Sequence, residues 1–445
     1  MSKLGERNDG MSTWLPWVMF SVAALFYCFV YFLRVSPGMM TSEIQQHFSI
    51  TATKFGLFAS LYYAVYSPTQ LIVGTIIDRY GPRMVLFAAC MICLVGIYLF
   101  GTAESFSIAC LGRACIGFGT AFGYVTILKV ASIWLPPGRF AAAAGLTTAF
   151  GMGAAIITEK YLAHAIKDSG FHSWFVTSTV IGLLLSMIIV LILRNRPRHL
   201  AKVKTERMSV AELKKGYWHI ITNPQCWYIG IVGALLYMPA MVFLDVGGPS
   251  YFHAAYGLNK SEAATMVNMI FFGWIVGGPV IGMYSDYVKR RKSPLVVTSL
   301  VAMILISVIF YVHLPMPALI TCMLLLGFTC GAHPLVFSLG KENSPLRFSG
   351  TATAFTNFLV MAGGWTLSLY GRLLDLHWDH AMSPTGAPIY SLSDYRFALA
   401  IIPIGLLIAL VIASQIKETH ACAYNEEDMP EVRAEKPSTA MPQAA

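Results

Sequence analysis

The sequence predicts an all-α membrane protein of twelve spanning helices in two six-helix halves, and three observations carry that expectation. Of 445 residues, 56% are hydrophobic and only 12% charged, where soluble domains carry about 25% charged residues. Twelve apolar runs each approach the ~20 residues a helix needs to cross a bilayer. A charged turn, Gly74-Thr75-Ile76-Ile77-Asp78-Arg79-Tyr80-Gly81-Pro82-Arg83, returns in weakened form 208 positions later as Gly282-Met283-Tyr284-Ser285-Asp286-Tyr287-Val288-Lys289-Arg290-Arg291.

The runs lie at 14–39, 53–77, 84–103, 106–134, 140–163, 172–193, 225–247, 262–285, 294–313, 317–339, 348–371 and 395–416, numbered here as spans 1 to 12. Lipid requires every backbone polar group to be bonded internally, and the period-2 alternation of a barrel is absent, so the runs are read as helices. The first is too long for a signal peptide and no small-residue cleavage site follows it. The net charge of +9 does not point to nucleic acid, because Lys and Arg cluster in short segments between apolar runs. The nine cysteines lie mostly inside those runs. Cys90 and Cys93 sit in a purely apolar context, so all nine are read as packing residues and no metal or cofactor is expected.

Basic residues set the expected orientation. Loops after the even-numbered spans carry Arg79 and Arg83; Arg139; the run from Arg194 to Lys215; Lys289 to Lys292; and Lys341 with Arg347. The opposite loops hold scattered Lys54, Lys167, Lys260, Arg372 and Arg396 among acids. Both termini are therefore expected in the cytoplasm, with the bacterial inner membrane as the setting. The division is 1–193 for the first bundle, 194–223 for a basic linker, 224–416 for the second bundle and 417–445 for a polar, disordered tail. Within the linker, Ser209 to Glu212 matches a capping box and predicts a short interfacial helix. Its charge suits a membrane surface.

Ionisable side chains inside spans are costly, and each is a functional candidate. They are Arg34, Arg113, Lys129, Glu159, Lys160, Asp245 and His333. Glu159 and Lys160 lie late in span 5 and are read either as snorkelling or as coupling residues. Lys129 is read as a site residue or a snorkelling lysine, and His333 as a proton-sensitive or a packing histidine. Arg34 and Asp245 stand out, each a lone charge on the first span of its half, 211 positions apart. A parallel repeat places them on opposite walls of one cavity. An arginine can hold a carboxylate in bidentate fashion and Asp245 an amine, so a zwitterion would bridge them. Two readings stay open beside that one, a gate formed by the two residues and plain packing. Tyr62, Tyr63 and Tyr66 on span 2 complete a plausible lining with Tyr124, Tyr237, Asn268, Asn357 and Trp365. About half of the aromatics are expected to face the cavity, and Tyr62 and Tyr66 are the span 2 residues assigned to binding.

Gly74, Asp78, Arg79, Gly81 and Arg83 fit the GxxxD[R/K]xGx[R/K] signature at every specified position. With twelve spans, a six-and-six division and a second partial copy after span 8, the chain resembles the major facilitator superfamily over nearly its whole length. Arg113-Ala-Cys-Ile-Gly117-Phe-Gly119 resembles that family's RxxxG motif. The resemblance implies an inner latch made of Gly74, Asp78, Arg79, Gly81, Arg83, Arg113, Arg139 and Asp286. Asp78 would meet the start of span 11 near Ser349 and Gly350, and Asp286 the start of span 5 near Arg139, each acid favoured by the positive end of a helix. Phe32 to Pro37 resembles span 1 of phagosomal-type amino-acid transporters and lysosomal dipeptide carriers. It is also similar to the organophosphate:phosphate antiporters, which place an arginine here and a second one on span 7. Asp245 stands on span 7 of this chain, which counts against a dianionic substrate.

The expected function is secondary active transport of an amino acid or short peptide by alternating access, in a monomer. Its partners are a small-molecule solute and the lipid bilayer. Proton coupling through His333 or Glu159 is left open, since span 1 carries no ExxER-type motif. The alternatives are an organic-anion or phosphoester exchanger, drug efflux and, more remotely, a transporter-like sensor. An enzyme is not expected, because no nucleophile–base spacing or phosphate loop occurs.

Overall fold

A computed structural model describes residues 14–135, 140–197, 210–345, 348–383 and 388–422. They are helical apart from connecting turns and one isolated bridge between Met382 and Pro388. Among them, nine helices are long and apolar enough to cross a membrane: Leu15–Met39, Pro82–Gly101, Phe106–Trp134, His172–Ile192, Pro224–Tyr256, Lys260–Val288, Lys292–Tyr311, Met316–Glu342 and Leu392–Gln415. The other three expected spans are helical too. Span 2 lies in Ala52–Tyr80, which buries Ser60, Ser67, Thr69 and Gln70. Span 11 is divided into Ser349–Ala362, a tighter turn at Gly363–Trp365, and Thr366–His377. Helical residues run without interruption from Phe140 to Ile192, where the sequence predicts a break between spans 5 and 6. The chain nevertheless reverses there, because the Tyr161 and Thr177 hydroxyls hydrogen-bond at 2.7 Å. Sixteen residues of straight helix would hold them about 24 Å apart.

The halves meet along span 1 against span 7, span 2 against span 11, and span 8 against the Phe140–Ile192 helix. The face where span 1 begins is here the near face, and the opposite one is the far face. On the far face the backbones touch. A Cβ added to Gly38 would sit 1.7 Å from the Asp245 carbonyl oxygen, one on Gly56 2.4 Å from that of Leu367, and one on Gly371 2.1 Å from that of Ala52. Only glycine permits such approach. On the near face, Gly74, Gly282 and Gly350 have nothing within 4 Å of the corresponding position.

The linker supplies a helix at Val210–Thr222; Ser209 of its expected capping box lies outside the described residues. Ile220 packs in an apolar cluster with Phe348, Ala352 and Phe355 of span 11. Tyr217 donates to the Leu71 carbonyl of span 2 at 2.6 Å.

Several spans depart from α geometry within their length. Span 1 contains Pro37 near its end. Span 4 loosens at Ala121–Phe122, where Gln70 donates to the freed Ala121 carbonyl at 2.8 Å. Span 7 widens into a π-helix at Pro239–Gly247, and span 10 is broken at Gly331–Pro334. Irregular backbone at membrane depth persists only where it is buried in protein or lines a cavity.

Candidate solute site

Proline has no N–H, so Pro37 leaves the Leu33 carbonyl without its helical donor. Arg113 of span 4 supplies one, with Nη1 2.9 Å from the Leu33 oxygen and Nη2 3.2 Å from the Arg34 oxygen. The Arg113 guanidinium is buried, 4.6 Å from the centroid of Tyr62 and 5.8 Å from that of Phe58. Its backbone bonds pin span 1 at the residue whose side chain matters most. Arg113, expected in an inner latch, instead holds span 1 of its own half.

Arg34 crosses to the other half. Its Nε and Nη2 lie 3.1 and 3.0 Å from Asp245 Oδ2, and its Nη1 lies 2.8 Å from the Tyr237 hydroxyl. Tyr63 donates to the same Asp245 oxygen at 2.6 Å. The rings of Tyr31, Tyr63 and Tyr237 surround the guanidinium at 5.2 to 5.5 Å. The two charged side chains are only 8% and 7% exposed, so neither tolerates loss of its partner, since one buried charge left alone costs several kcal/mol. The π-helix places Asp245 here: its wider turn is closed by Gly248 N–H donating to the Phe243 carbonyl.

An arginine carries five N–H donors. Three contacts account for Arg34's Nε, one Nη1 hydrogen and one Nη2 hydrogen, and the other two N–H hydrogens have no hydrogen-bond partner among the described residues. Arg34 and Arg113 bring two buried positive charges, while Asp245 is the one carboxylate hydrogen-bonded to either. Glu159 is buried within electrostatic reach of Asp245. Its Oε2 has no partner among the described residues, an expensive place for a charge.

In the second half, His333 sits on the broken turn of span 10. Its ring lies 4.8 Å from Tyr237, 6.1 Å from Trp274 and 5.5 Å from Phe337. Tyr62, Tyr63 and Tyr66 cluster with ring separations of 5.0 and 5.6 Å. Tyr124 reaches the group through Tyr27, at 5.7 Å. Asn268 is fully buried, and neither amide atom has a partner among the described residues. Asn357 is buried on span 11.

Other expectations need correction. Trp365 is 52% exposed because the tight turn at Gly363–Trp365 swings it out, where a tryptophan suits the membrane interface. Lys129 is not beside Arg34. It pairs with Asp78 at 2.7 Å, both side chains at least 37% exposed. Asp78 is thus held within its own half, and Gly350, where it was expected, stands clear. Asp286 pairs with Arg291 of its own hairpin at 2.6 Å, while Arg291 also reaches Glu342 at 3.1 Å. Arg83 donates to the Val190 carbonyl of span 6, and its N–H takes Asn195 Oδ1 at 2.9 Å. Gly81, with φ of +80°, lets the turn close over the Asn195 side chain. Arg79 lies 5.4 Å from the ring of its neighbour Tyr80. Arg139 lies outside the described residues.

The sequence reading missed Tyr31 and Trp274. Tyr31 stands three residues before Arg34, the spacing that puts two side chains on one helix face, and could have been found that way.

The profile of the Major Facilitator Superfamily matches residues 20–368. The probable sulfoacetate transporter SauU of Cupriavidus necator is 23% identical over 62% of this chain, a match that spans 66% of that protein. The membrane sensor protein UhpC of Salmonella typhimurium is 25% identical over 79% of this chain and 84% of its own length. A bacterial homologue of the human lysosomal transporter Spinster, in an inward-facing and unoccupied conformation, superposes with a TM-score of 0.73 at 14% identity, covering 92% of this chain and 98% of that one.

Proposed function

We propose that this chain, which belongs to the major facilitator superfamily, moves a small organic anion across the membrane by alternating access, with Arg34 taking the anionic group. The observation that carries this reading is the donor and charge balance around Arg34. Two N–H hydrogens of its guanidinium have no hydrogen-bond partner among the described residues, and the pair of buried arginines outnumbers Asp245 by one positive charge. A carboxylate, sulfonate or phosphoester monoanion supplies both the acceptors and the missing negative charge. SauU, similar over much of the chain, is named for sulfoacetate, an organic anion, but one with a second anionic group beyond the single charge this balance asks for.

A second reading keeps the zwitterion. Asp245 Oδ2 gathers three donors, and an ammonium group could replace Arg34 there while a carboxylate holds the freed arginine. That substrate would have to part the pair, whereas an anion uses donors already available. Glu159 is the residue through which a proton would be coupled. The inner membrane, cytoplasmic termini and a monomer complete the reading. The likeness to UhpC leaves ligand sensing as a rival outcome.

The test is uptake into proteoliposomes with competition. Hydroxycarboxylates and sulfonates are expected to compete, amino acids to compete weakly, and Arg34→Ala to abolish uptake. Competition by amino acids and not by simple anions would overturn the anion reading in favour of the zwitterion. Binding without uptake would favour the sensor.

A further inference from the structure

Span 10 breaks where the sequence reads Gly331-Ala-His-Pro334. Each N–H around the break bonds three residues back: Gly331 to Phe328, Ala332 to Thr329, His333 to Cys330, Leu335 to Ala332 and Val336 to His333. Pro334 cannot donate, so the turn is tight and rotates His333 out of the α register. Gly331 makes the turn possible in space, since a Cβ there would fall 2.3 Å from the backbone of Gly277 on span 8. The break delivers one polar side chain into an aromatic box. His333 is 7% exposed, it is ringed by Tyr237, Trp274 and Phe337, and its Nε2 has no partner among the described residues. A buried polar atom without a partner costs about 1–3 kcal/mol. The box adjoins the anion site directly, because the Tyr237 ring tilted against His333 at 4.8 Å carries the hydroxyl that Arg34 Nη1 bonds at 2.8 Å.

We infer that His333 is a specificity-determining residue: its Nε2 hydrogen-bonds a hydroxyl on the solute, beyond the anionic group that Arg34 takes. The inference rests on the anion reading proposed above. The neighbours select a neutral hydroxyl. An ammonium would face Arg34, and a second anionic group would face the electron-rich ring faces of Tyr237 and Trp274. A hydroxyl can donate or accept, so it satisfies either tautomer of the ring. A site built to bond a hydroxyl rejects the analogue lacking it, because its own polar atom is then left bare.

The test uses the full chain, purified in detergent, and two three-carbon carboxylates, glycerate and propionate, titrated by intrinsic fluorescence. Wild type is expected to bind glycerate at least tenfold more tightly. His333→Phe keeps the ring against Tyr237 and removes the nitrogen. It should hold propionate within about twofold of wild type and bring the glycerate preference close to one, about the tenfold that a single bond represents. His333→Gln returns a polar atom near the Nε2 position and should restore most of the preference. If His333→Phe also loses propionate, His333→Gln decides: a wild-type preference supports the assignment and a ratio near one overturns it. A preference unchanged in His333→Phe overturns the role of His333 and leaves the anion reading standing. Failure of both carboxylates to bind wild type, with Arg34→Ala no different, overturns both.

Discussion

The same two helices, spans 2 and 11, touch at one face of the membrane and stand apart at the other. On the far face, Gly56 presses on the Leu367 backbone and Gly371 on that of Ala52. On the near face, Gly74 and Gly350 lie in open space. The carboxylates follow suit. Asp375, beyond the far end of the 348–371 run, accepts the N–H groups of Ala52 and Thr53 at 3.1 and 2.7 Å, capping span 2 from the opposite half with help from the Tyr390 hydroxyl. Asp78 of span 2 is the acid placed to do likewise for span 11, but here it pairs with Lys129. One device, an acid at a helix N-terminus flanked by close-packing glycines, is engaged at one face and disengaged at the other. The Arg34–Asp245 pair lies on the engaged side.

The largest effect should come from filling the contact at Gly38. A side chain there collides with the Asp245 backbone, and overpacking of this kind costs about 1–3 kcal/mol, enough to shift a two-state balance by roughly five- to 150-fold. Gly38→Val is expected to abolish uptake and to lengthen spin-label distances between Gln46→Cys and His253→Cys across the far face. Gly350→Leu is the mirror experiment. It meets nothing in this state, so thermal stability should hold while uptake falls, because the near face can no longer close. Equal destabilisation by both substitutions would show that the two faces do not differ as described.

Much of this comparison was legible in the sequence. The repeat offset of the 74–83 hairpin singled out Arg34 and Asp245, which the fold brings within 3.0 Å, whereas the expected contact of Asp78 with the start of span 11 is not formed here. What the sequence could not show were contacts without a local pattern. Nothing near Ala52 announces that its cap is Asp375, 323 positions away, because Thr51 occupies the N-cap and its side chain does not cap the helix. Nor could spacing show that Lys129 joins Asp78, since that depends on how spans 2 and 4 are rotated. Trp365 failed for a related reason: a tight turn changes the angular register that an α-helical count assumes.

Asp375→Asn should have the next largest effect. A capping side chain is worth about 0.5–2 kcal/mol, so the far face should open up to about thirtyfold more readily, without the collapse expected of Gly38→Val. The pH dependence has a definite sign. Burial alone would raise the Asp375 carboxyl, but hydrogen bonds from Thr51, Thr53 and Tyr390 outweigh it and hold the group below the usual carboxylate range. The cap is therefore fully present above that range and is lost as pH falls through the depressed value. Far-face closure should be flat from neutral pH down to the ordinary carboxyl range and weaken only below it. Asp375→Asn should remove that acid limb, and an unchanged limb would assign it to another group.

The smallest effect concerns the linker. Its Val210–Thr222 helix bridges the open near face, with Tyr217 bonded to Leu71 of span 2 and Gly216 set against the Phe348 ring at the start of span 11. For Gly74 and Gly350 to approach, one of these attachments must yield. The Tyr217 bond is the weaker restraint, because an internal hydrogen bond contributes about 0.5–1.5 kcal/mol net, whereas the apolar cluster of Ile220 with Phe348 and Phe355 is buried. Tyr217→Phe keeps the ring and deletes the bond, so the near face should close two- to tenfold more readily, by roughly that energy. Burial pushes the Tyr217 hydroxyl up to about 12, which keeps it a donor at every pH where the protein works. The gain should thus be constant from acid to mildly alkaline conditions, in contrast to Asp375→Asn. Labels on spans 2 and 11 at the near face would report it, and a distance distribution identical to wild type would show that the linker follows the halves without restraining them.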